Sequence, residues 1–107
     1  MKKVDSGCVY VLDCRELGEN HFKIGCTSKR SYLNSRKSKI RKSYGLTSPS
    51  EFLYVIDSVD HYTLEASVHN FFRDERLGDR ELFRVDLDLV IPVIERFEFL
   101  IKDRLRK

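Results

Sequence analysis

The sequence lacks any apolar run near the roughly 20 residues that a membrane-spanning helix needs. Its first residues, MKKVDSG, also lack the apolar stretch of a signal peptide. We therefore expect no membrane partner and a cytoplasmic location, or a nuclear one if the host cell has a nucleus. Tryptophan is absent too, but seven Phe and five Tyr can fill a core, so a fully disordered chain is not expected.

Cysteine is scarce, and no two of the three cysteines form a CxxC pair. An odd number of cysteines is a poor disulfide framework and indicates a reducing compartment. A zinc site of Cys8, Cys14, Cys26 and His21 can be drawn, but its spacing fits no common pattern of zinc ligands. We expect the three thiols to be buried packing residues.

Proline and glycine are also few, and no linker, repeat or low-complexity segment interrupts the chain. The 107 residues fit the size of one domain rather than two. We predict a single domain over residues 1–107, with a core at about residues 7–85 and a carboxy-terminal helix at about residues 88–105.

Three segments have the β-branched and aromatic composition of strands, namely GCVYVLDC, HFKIG and EFLYVIDSV. The loop between the first two is short, so these two strands must pair in antiparallel orientation. A further piece, ELFRV, is short and extended, and we count only three strands in the sheet.

The first helix is predicted over about residues 29–44, with Thr27 or Ser28 as its cap and Gly45 at its end. The spacing of its apolar residues gives one stripe along the helix. That stripe consists of Leu33, Ile40 and Tyr44.

Two more helices follow. Asp60 caps the second, which covers residues 60–76, and Pro92 lies in the first turn of the third, where a missing amide hydrogen costs little. The second faces the core with Leu64, Val68, Phe71 and Phe72, and the third with Val90, Ile94, Phe97, Ile101 and Leu105. The order β-β-α-β-α-(β)-α predicts an α/β (α+β) domain with a small, mostly antiparallel three-stranded sheet flanked by helices.

Acidic residues are missing from residues 23–50, where there are eight Lys and Arg. This segment carries +8, whereas the rest of the chain carries −5. Such a segment indicates a polyanionic partner, usually nucleic acid, although a solvated basic helix without a partner has the same pattern. The candidate nucleic-acid-binding residues are Lys29, Arg30, Lys37, Lys39, Arg41 and Lys42.

Several polar residues lie where the helical or strand pattern favours apolar ones. Arg36 borders the apolar stripe of the first helix, so its stem packs along the core or its charge is held inward for a function. Glu65 and His69 lie one turn apart, as a surface pair or as a carboxylate and imidazole for a divalent metal. Tyr10 and Lys23 lie on the two paired strands, as approximate cross-strand neighbours.

The order VYVL, KIG, a basic helix with an inner arginine, and then LEASVHNFF resembles the GIY-YIG nuclease superfamily. The branch it resembles is phage- and virus-associated and has KIG as its second motif. CVY corresponds to GIY and KIG to YIG, and GDRELF resembles the piece that closes the domain. The sequence departs from the pattern at Cys8 and Lys23, which replace a glycine and a tyrosine. Arg36 lies farther from Gly25 than usual, with Arg30 as its rival, and the late asparagine has no counterpart.

The resemblance implies a metal-dependent DNA endonuclease with low intrinsic sequence specificity. Glu65 would hold one Mg²⁺ or Mn²⁺ and Arg36 would contact the phosphate. Tyr10 would orient or deprotonate the attacking water, with Lys23 lowering its pKa, and His69 would be a spare acid or base.

The alternative is a nucleic-acid-binding module of the same fold with weak or no catalysis. RNA is the alternative substrate for either function. A protein partner could supply specificity, because contacts to the phosphate backbone do not distinguish sequences.

Overall fold

The computed structural model describes residues 6–78 and 80–106 of the chain. Its strands are β1 (Gly7–Asp13), β2 (His21–Thr27), β3 (Phe52–Ser58) and β4 (Leu82–Arg84), and its α-helices are α1 (Leu33–Tyr44), α2 (His61–Phe71) and α3 (Leu87–Leu105). Short 3₁₀ turns at Arg30–Tyr32 and Arg73–Glu75 precede α1 and follow α2. The α+β class and the order of the elements are those predicted from the sequence.

The sheet has four antiparallel strands in the order β3-β1-β2-β4, so the predicted count of three strands is wrong. The piece ELFRV forms β4 and pairs with β2 from His21↔Arg84 to Lys23↔Leu82. A three-residue strand is too short to show a two-residue alternation, which explains why the sequence indicated only an extended piece.

The central strand β1 is buried on both faces, and its side chains alternate between two cores. Val9 and Val11 belong to a core formed with α2 and α3, whereas Tyr10 and Leu12 pack with Ile40 of α1. Helices therefore cover both faces of the sheet. This arrangement brings α1 and α2, which carry Arg36 and Glu65, to opposite sides of the hairpin β1–β2.

The predicted caps of α1 are wrong at its start and correct at its end. Thr27 is still part of β2, and α1 begins at Leu33 without a side-chain cap. Gly45 ends the helix in the left-handed conformation, with a φ of 67°, which a glycine adopts without steric cost.

The cap of α2 is as predicted, but the helix is shorter. The Asp60 carboxylate accepts a hydrogen bond from the Thr63 amide at 3.3 Å. The helix ends at Phe71 rather than at residue 76, because the chain turns at Phe72 into a 3₁₀ turn. Phe72 is buried as predicted, whereas Phe71 is 57% exposed, so its assignment to the core is wrong.

The closing helix α3 starts at Leu87, after Asp86, which caps it by accepting from the Asp88 amide. Pro92 is therefore its sixth residue rather than part of the first turn, and that prediction is wrong. Val90, Ile94 and Ile101 are buried as predicted, whereas Leu105 is 40% exposed. No helix in residues 6–78 and 80–106 combines the length and the apolar character needed to cross a bilayer.

Candidate active site

Tyr10 and Gly25 form the base of a cleft beside the hairpin, because they are direct partners in the β1–β2 ladder. The Tyr10 side chain is almost fully buried and crosses over Gly25. A Cβ atom at position 25 would lie 2.6 Å from the Tyr10 hydroxyl oxygen and 2.7 Å from Cζ. Only glycine leaves room for the ring here, which gives the end of the KIG motif a steric reason.

Lys23 is the direct cross-strand partner of Leu12. It is therefore a diagonal neighbour of Tyr10 on the same face of the sheet, rather than the direct partner of Tyr10. The Lys23 ammonium forms an ion pair with the Glu81 carboxylate instead. The prediction that Lys23 lowers the pKa of Tyr10 is therefore not supported, because Lys23 is not among the groups that shift this pKa. Burial raises that pKa well above its usual value, and Arg36 only partly offsets the effect. The raised pKa favours the protonated form of the Tyr10 hydroxyl, which can orient a water molecule.

His69 is fixed by the sheet, one helical turn after Glu65. Its Nε2 atom lies 2.7 Å from the Ile24 carbonyl oxygen. Because a carbonyl only accepts hydrogen bonds, Nε2 carries the proton and Nδ1 keeps a lone pair in the neutral ring. The ring also packs against Phe83, with centroids 5.0 Å apart. Glu65 and His69 are both half-buried, which differs from a solvated surface pair.

Glu81 also lies beside Glu65 and His69, although no role was predicted for it. The Ile24 amide donates to the Glu81 carbonyl at 3.1 Å, which extends the pairing of β2 and β4 by one bond. One ligand atom each from Glu65, His69 and Glu81 lies within 4.8 Å of the other two. The acid in the segment GDRELF was the available signal, but its position depends on β4, whose pairing was not predicted. Asp79 of that segment lies outside the described residues.

These side chains line one open cleft with a volume of about 540 Å³. Its lining includes Tyr10, Arg36, Glu65 and Glu81, whereas His69 lies beside it against β2. Arg30, the rival of Arg36, is not in this lining and donates from Nε to Asp57 at 2.7 Å. The cleft thus combines a guanidinium on one wall with carboxylates on the other.

Residues 7–98 match the T5orf172 domain, a span that contains the sheet, α1, α2, most of α3 and every residue of the cleft. The chain belongs to the T5orf172 domain family. This phage-associated domain is related to nuclease-like and GIY-YIG-like folds, which indicates a nuclease-like or nucleic-acid-binding role. No curated protein and no solved structure matches the chain.

The cysteines of this T5orf172 domain are free thiols. Cys8 and Cys14 are buried as predicted, whereas Cys26 is half-buried and lines the cleft. Burial, followed by the charge of Glu65, raises the pKa of Cys26 to about 12. A protonated thiol is a poor nucleophile and metal ligand. In residues 6–78 and 80–106 the three cysteines belong to no cluster of three metal ligands.

The predicted nucleic-acid-binding residues of the T5orf172 domain differ in the groups that they contact. Lys39 lines the cleft beside Arg36. Arg41 donates to the Ser48 carbonyl at 3.1 Å, so it holds the loop after α1. Lys29 and Lys37 each lie over an aromatic ring at 5.7 Å from its centroid. Lys42 is exposed on α1.

The cleft wall also has members that the sequence did not indicate, namely Tyr32, His61 and Tyr62. Tyr32 and Tyr62 are exposed aromatic rings at the rim of the cleft. Exposed rings beside basic residues are typical of surfaces on which nucleic-acid bases stack. The signal for them in the sequence was weak, since tyrosines near helix ends usually pack against the core.

Proposed function

We propose that this T5orf172 domain is a metal-dependent DNA endonuclease of the GIY-YIG type, in the branch with a KIG second motif. The observation that carries the proposal is the shared cleft of Tyr10, Arg36 and Glu65, which come from three separate elements. Phosphodiester hydrolysis needs a positioned water, positive charge at the phosphoryl oxygens and stabilisation of the leaving oxygen. Each of the three side chains suits one of these needs.

Glu65 is the proposed ligand of one Mg²⁺ or Mn²⁺ ion. Its carboxylate is half-buried at the cleft and has an imidazole and a second carboxylate beside it, a donor set that fits a divalent cation. Such an ion supplies positive charge for the phosphate and the leaving oxygen.

Arg36 is the proposed phosphate contact. Its guanidinium remains charged at any physiological pH, and its forked donors can bind two phosphoryl oxygens at once. The position of Arg36 on α1, in the cleft lining, favours it over Arg30, which is paired with Asp57.

Tyr10 is proposed to orient the attacking water through its hydroxyl, which the raised pKa keeps protonated. His69 offers Nδ1 as a proton acceptor or as a metal ligand, because Nε2 is engaged by Ile24. Lys23 balances the charge of Glu81 rather than activating Tyr10.

The DNA backbone is proposed to lie along α1, which carries five of the eight basic residues in residues 23–50. The proposed contacts are Lys29, Lys37, Lys39 and Lys42. Arg30 and Arg41, which the sequence also suggested, are held by Asp57 and by the Ser48 carbonyl. Such contacts bind phosphates and give low sequence specificity, so a protein partner would have to provide any strong preference.

A plasmid-nicking assay with Mg²⁺ or Mn²⁺ tests the proposal. We expect the wild-type chain to nick supercoiled DNA and Glu65→Gln to lose at least about 10²-fold in rate, because the substitution removes a ligand charge but keeps the shape. Glu19→Gln, on an exposed loop away from the cleft, is the matched control and should cleave like the wild type. Equal nicking by wild type and Glu65→Gln would refute the mechanism.

A nucleic-acid-binding module without catalysis is the second candidate, favoured by the basic segment of residues 23–50 and by the exposed rings of Tyr32 and Tyr62 at the cleft. It predicts salt-dependent binding of DNA or RNA with no turnover by the wild type. Binding should then be unchanged in Glu65→Gln and weakened in Lys39→Gln.

A further inference from the structure

Ile24 uses both of its main-chain groups at the edge of β2 to fix two polar residues. Its amide donates to the Glu81 carbonyl, and its carbonyl accepts from Nε2 of His69. The short strand β4 covers β2 only from His21 to Lys23. At Ile24, the next residue, the edge of β2 therefore positions Glu81 and His69 side by side.

The distances among the three polar side chains suit a single ion. Adjacent ligands on an octahedral ion with metal–ligand bonds of about 2.1 Å lie about 3 Å apart, and opposite ligands lie about 4 Å apart. The ligand atoms of Glu65, His69 and Glu81 are all within 4.8 Å of one another. That limit is close to the separation of ligands that share one cation.

The hydrogen bond of His69 adds a feature of metal-binding histidines. Such histidines donate their second ring N–H to a carbonyl or carboxylate, which sets the tautomer and aims the other nitrogen. The bond from Nε2 to the Ile24 carbonyl sets the tautomer of His69 in the same way and leaves Nδ1 with its lone pair.

The negative charge of the two glutamates at this site is partly balanced by Lys23. Two half-buried carboxylates repel each other, and the Lys23 ammonium pairs with Glu81. The Lys23 side chain is 12% exposed, so its charge faces Glu81 with little screening from water. A divalent cation between the carboxylates would take over this pairing.

We propose that Glu65, His69 and Glu81 together form a three-ligand site for one divalent cation, which prefers Mn²⁺ to Mg²⁺, and that Lys23 occupies Glu81 until the cation binds. This inference rests on the proposed function and extends its single ligand, Glu65. The preference follows from the donor set. Mg²⁺ favours oxygen ligands in a rigid octahedron, whereas transition-metal ions accept imidazole nitrogen and bind mixed sites more tightly.

The test measures binding of Mn²⁺ alone to the full chain by electron paramagnetic resonance, without DNA. Glu81→Gln and His69→Gln are each expected to weaken Mn²⁺ binding at least about tenfold, as is Glu65→Gln. Lys23→Met should tighten Mn²⁺ binding severalfold, because it removes the competing cation. A purely structural role for Lys23 would not produce tighter binding. Glu19→Gln is the matched control, and circular dichroism checks that each variant is folded.

The outcomes separate this inference from the proposed function. Wild-type Mn²⁺ affinity in Glu81→Gln, with affinity lost in Glu65→Gln, would overturn the three-ligand site and leave the nuclease proposal intact. Unchanged affinity in Glu65→Gln would contradict both. Displacement of Mn²⁺ by an equal concentration of Mg²⁺ would overturn the stated preference. If Glu81→Gln does not fold, Glu81→Asp keeps the charge but shortens the ligand, and wild-type affinity in that variant would contradict the site.

Discussion

The charged residues of the cleft differ from those that brace the fold. Arg36, Glu65 and Glu81 line an open cleft, where Glu81 also pairs with Lys23. Glu98 is 2% exposed and accepts from the Ser58 hydroxyl at 2.6 Å and from the Val59 amide at 3.2 Å. A carboxylate with fixed donors stabilises the fold, whereas one facing a cleft is available for chemistry.

The same contrast separates the bracing arginines from Arg36. Arg30 pairs with Asp57, and Arg41 donates to the carbonyl of Ser48. Both lie in the basic segment that the sequence assigned to nucleic acid as a whole. All three arginines carry the same charge, but their partners give them different tasks.

The sharpest test of the comparison concerns Arg36. Arg36→Lys keeps the charge but loses the forked donors, so the DNA cleavage rate should fall by about 10²–10³-fold. Arg30→Lys is the matched control and should stay within a few-fold of the wild type. Because Arg36 is exposed, urea unfolding should show a stability change within about 0.5 kcal/mol. A larger loss in Arg30→Lys than in Arg36→Lys would reverse the assignment.

Glu98 tests the bracing side of the comparison. Glu98→Ala leaves the Ser58 hydroxyl and the Val59 amide without their acceptor, so the free energy of unfolding should fall by about 2–4 kcal/mol. Glu95→Ala on the same helix removes an exposed bond to Tyr54 and should cost less than about 1 kcal/mol. Urea unfolding of both variants measures the difference, and equal costs would contradict a bracing role.

Gly25 tests the steric link between the two strands of the hairpin. Gly25→Ala places a Cβ atom against the buried ring of Tyr10, so we expect about 1–3 kcal/mol of destabilisation together with slower cleavage. Gly18→Ala, in the exposed loop before β2, is the control, because the atoms nearest to its new Cβ belong to the His21 side chain rather than to a buried ring. Thermal unfolding compares the two variants. A stable Gly25→Ala with normal cleavage would show that Tyr10 is freer than its burial indicates.

The smallest expected effect concerns Glu16, a bracing charge at the surface. Its carboxylate accepts bonds from Thr47 and Ser48, which hold its pKa below the usual range. A carboxyl group with a lowered pKa stabilises the fold fully above its unfolded pKa of about 4.3, and the stabilisation is lost as the pH falls through the folded value. The melting temperatures of wild type and Glu16→Gln should therefore differ at pH 7 and converge below about pH 4. A difference in melting temperature that persists below about pH 4 would show that the stabilisation does not come from the ionised Glu16 carboxylate.

Much of the fold could be predicted because its signals are local. The short connection between β1 and β2 requires antiparallel pairing, and Asp60 caps α2 as its position predicts. The ends of elements were less certain. Thr27 was assigned to a helix cap, but hydrogen bonding in the sheet keeps it in β2.

The candidate site was predictable in part, through the order of its motifs. Tyr10, Arg36 and Glu65 were chosen as a set, and the structure places them in one cleft. Lys23 was chosen as well, as an approximate neighbour of Tyr10, but the structure makes it a diagonal neighbour that pairs with Glu81. The register depends on the whole sheet, and a short strand does not reveal it.

The sequence by itself determined the order of strands and helices and the separation of a basic segment from an acidic remainder, because periodicity, capping and charge act between near neighbours. Only the tertiary structure decided that Glu81 would meet Glu65 and His69. That meeting depends on a three-residue strand pairing with β2, and its stability comes from the completed sheet rather than from its own residues.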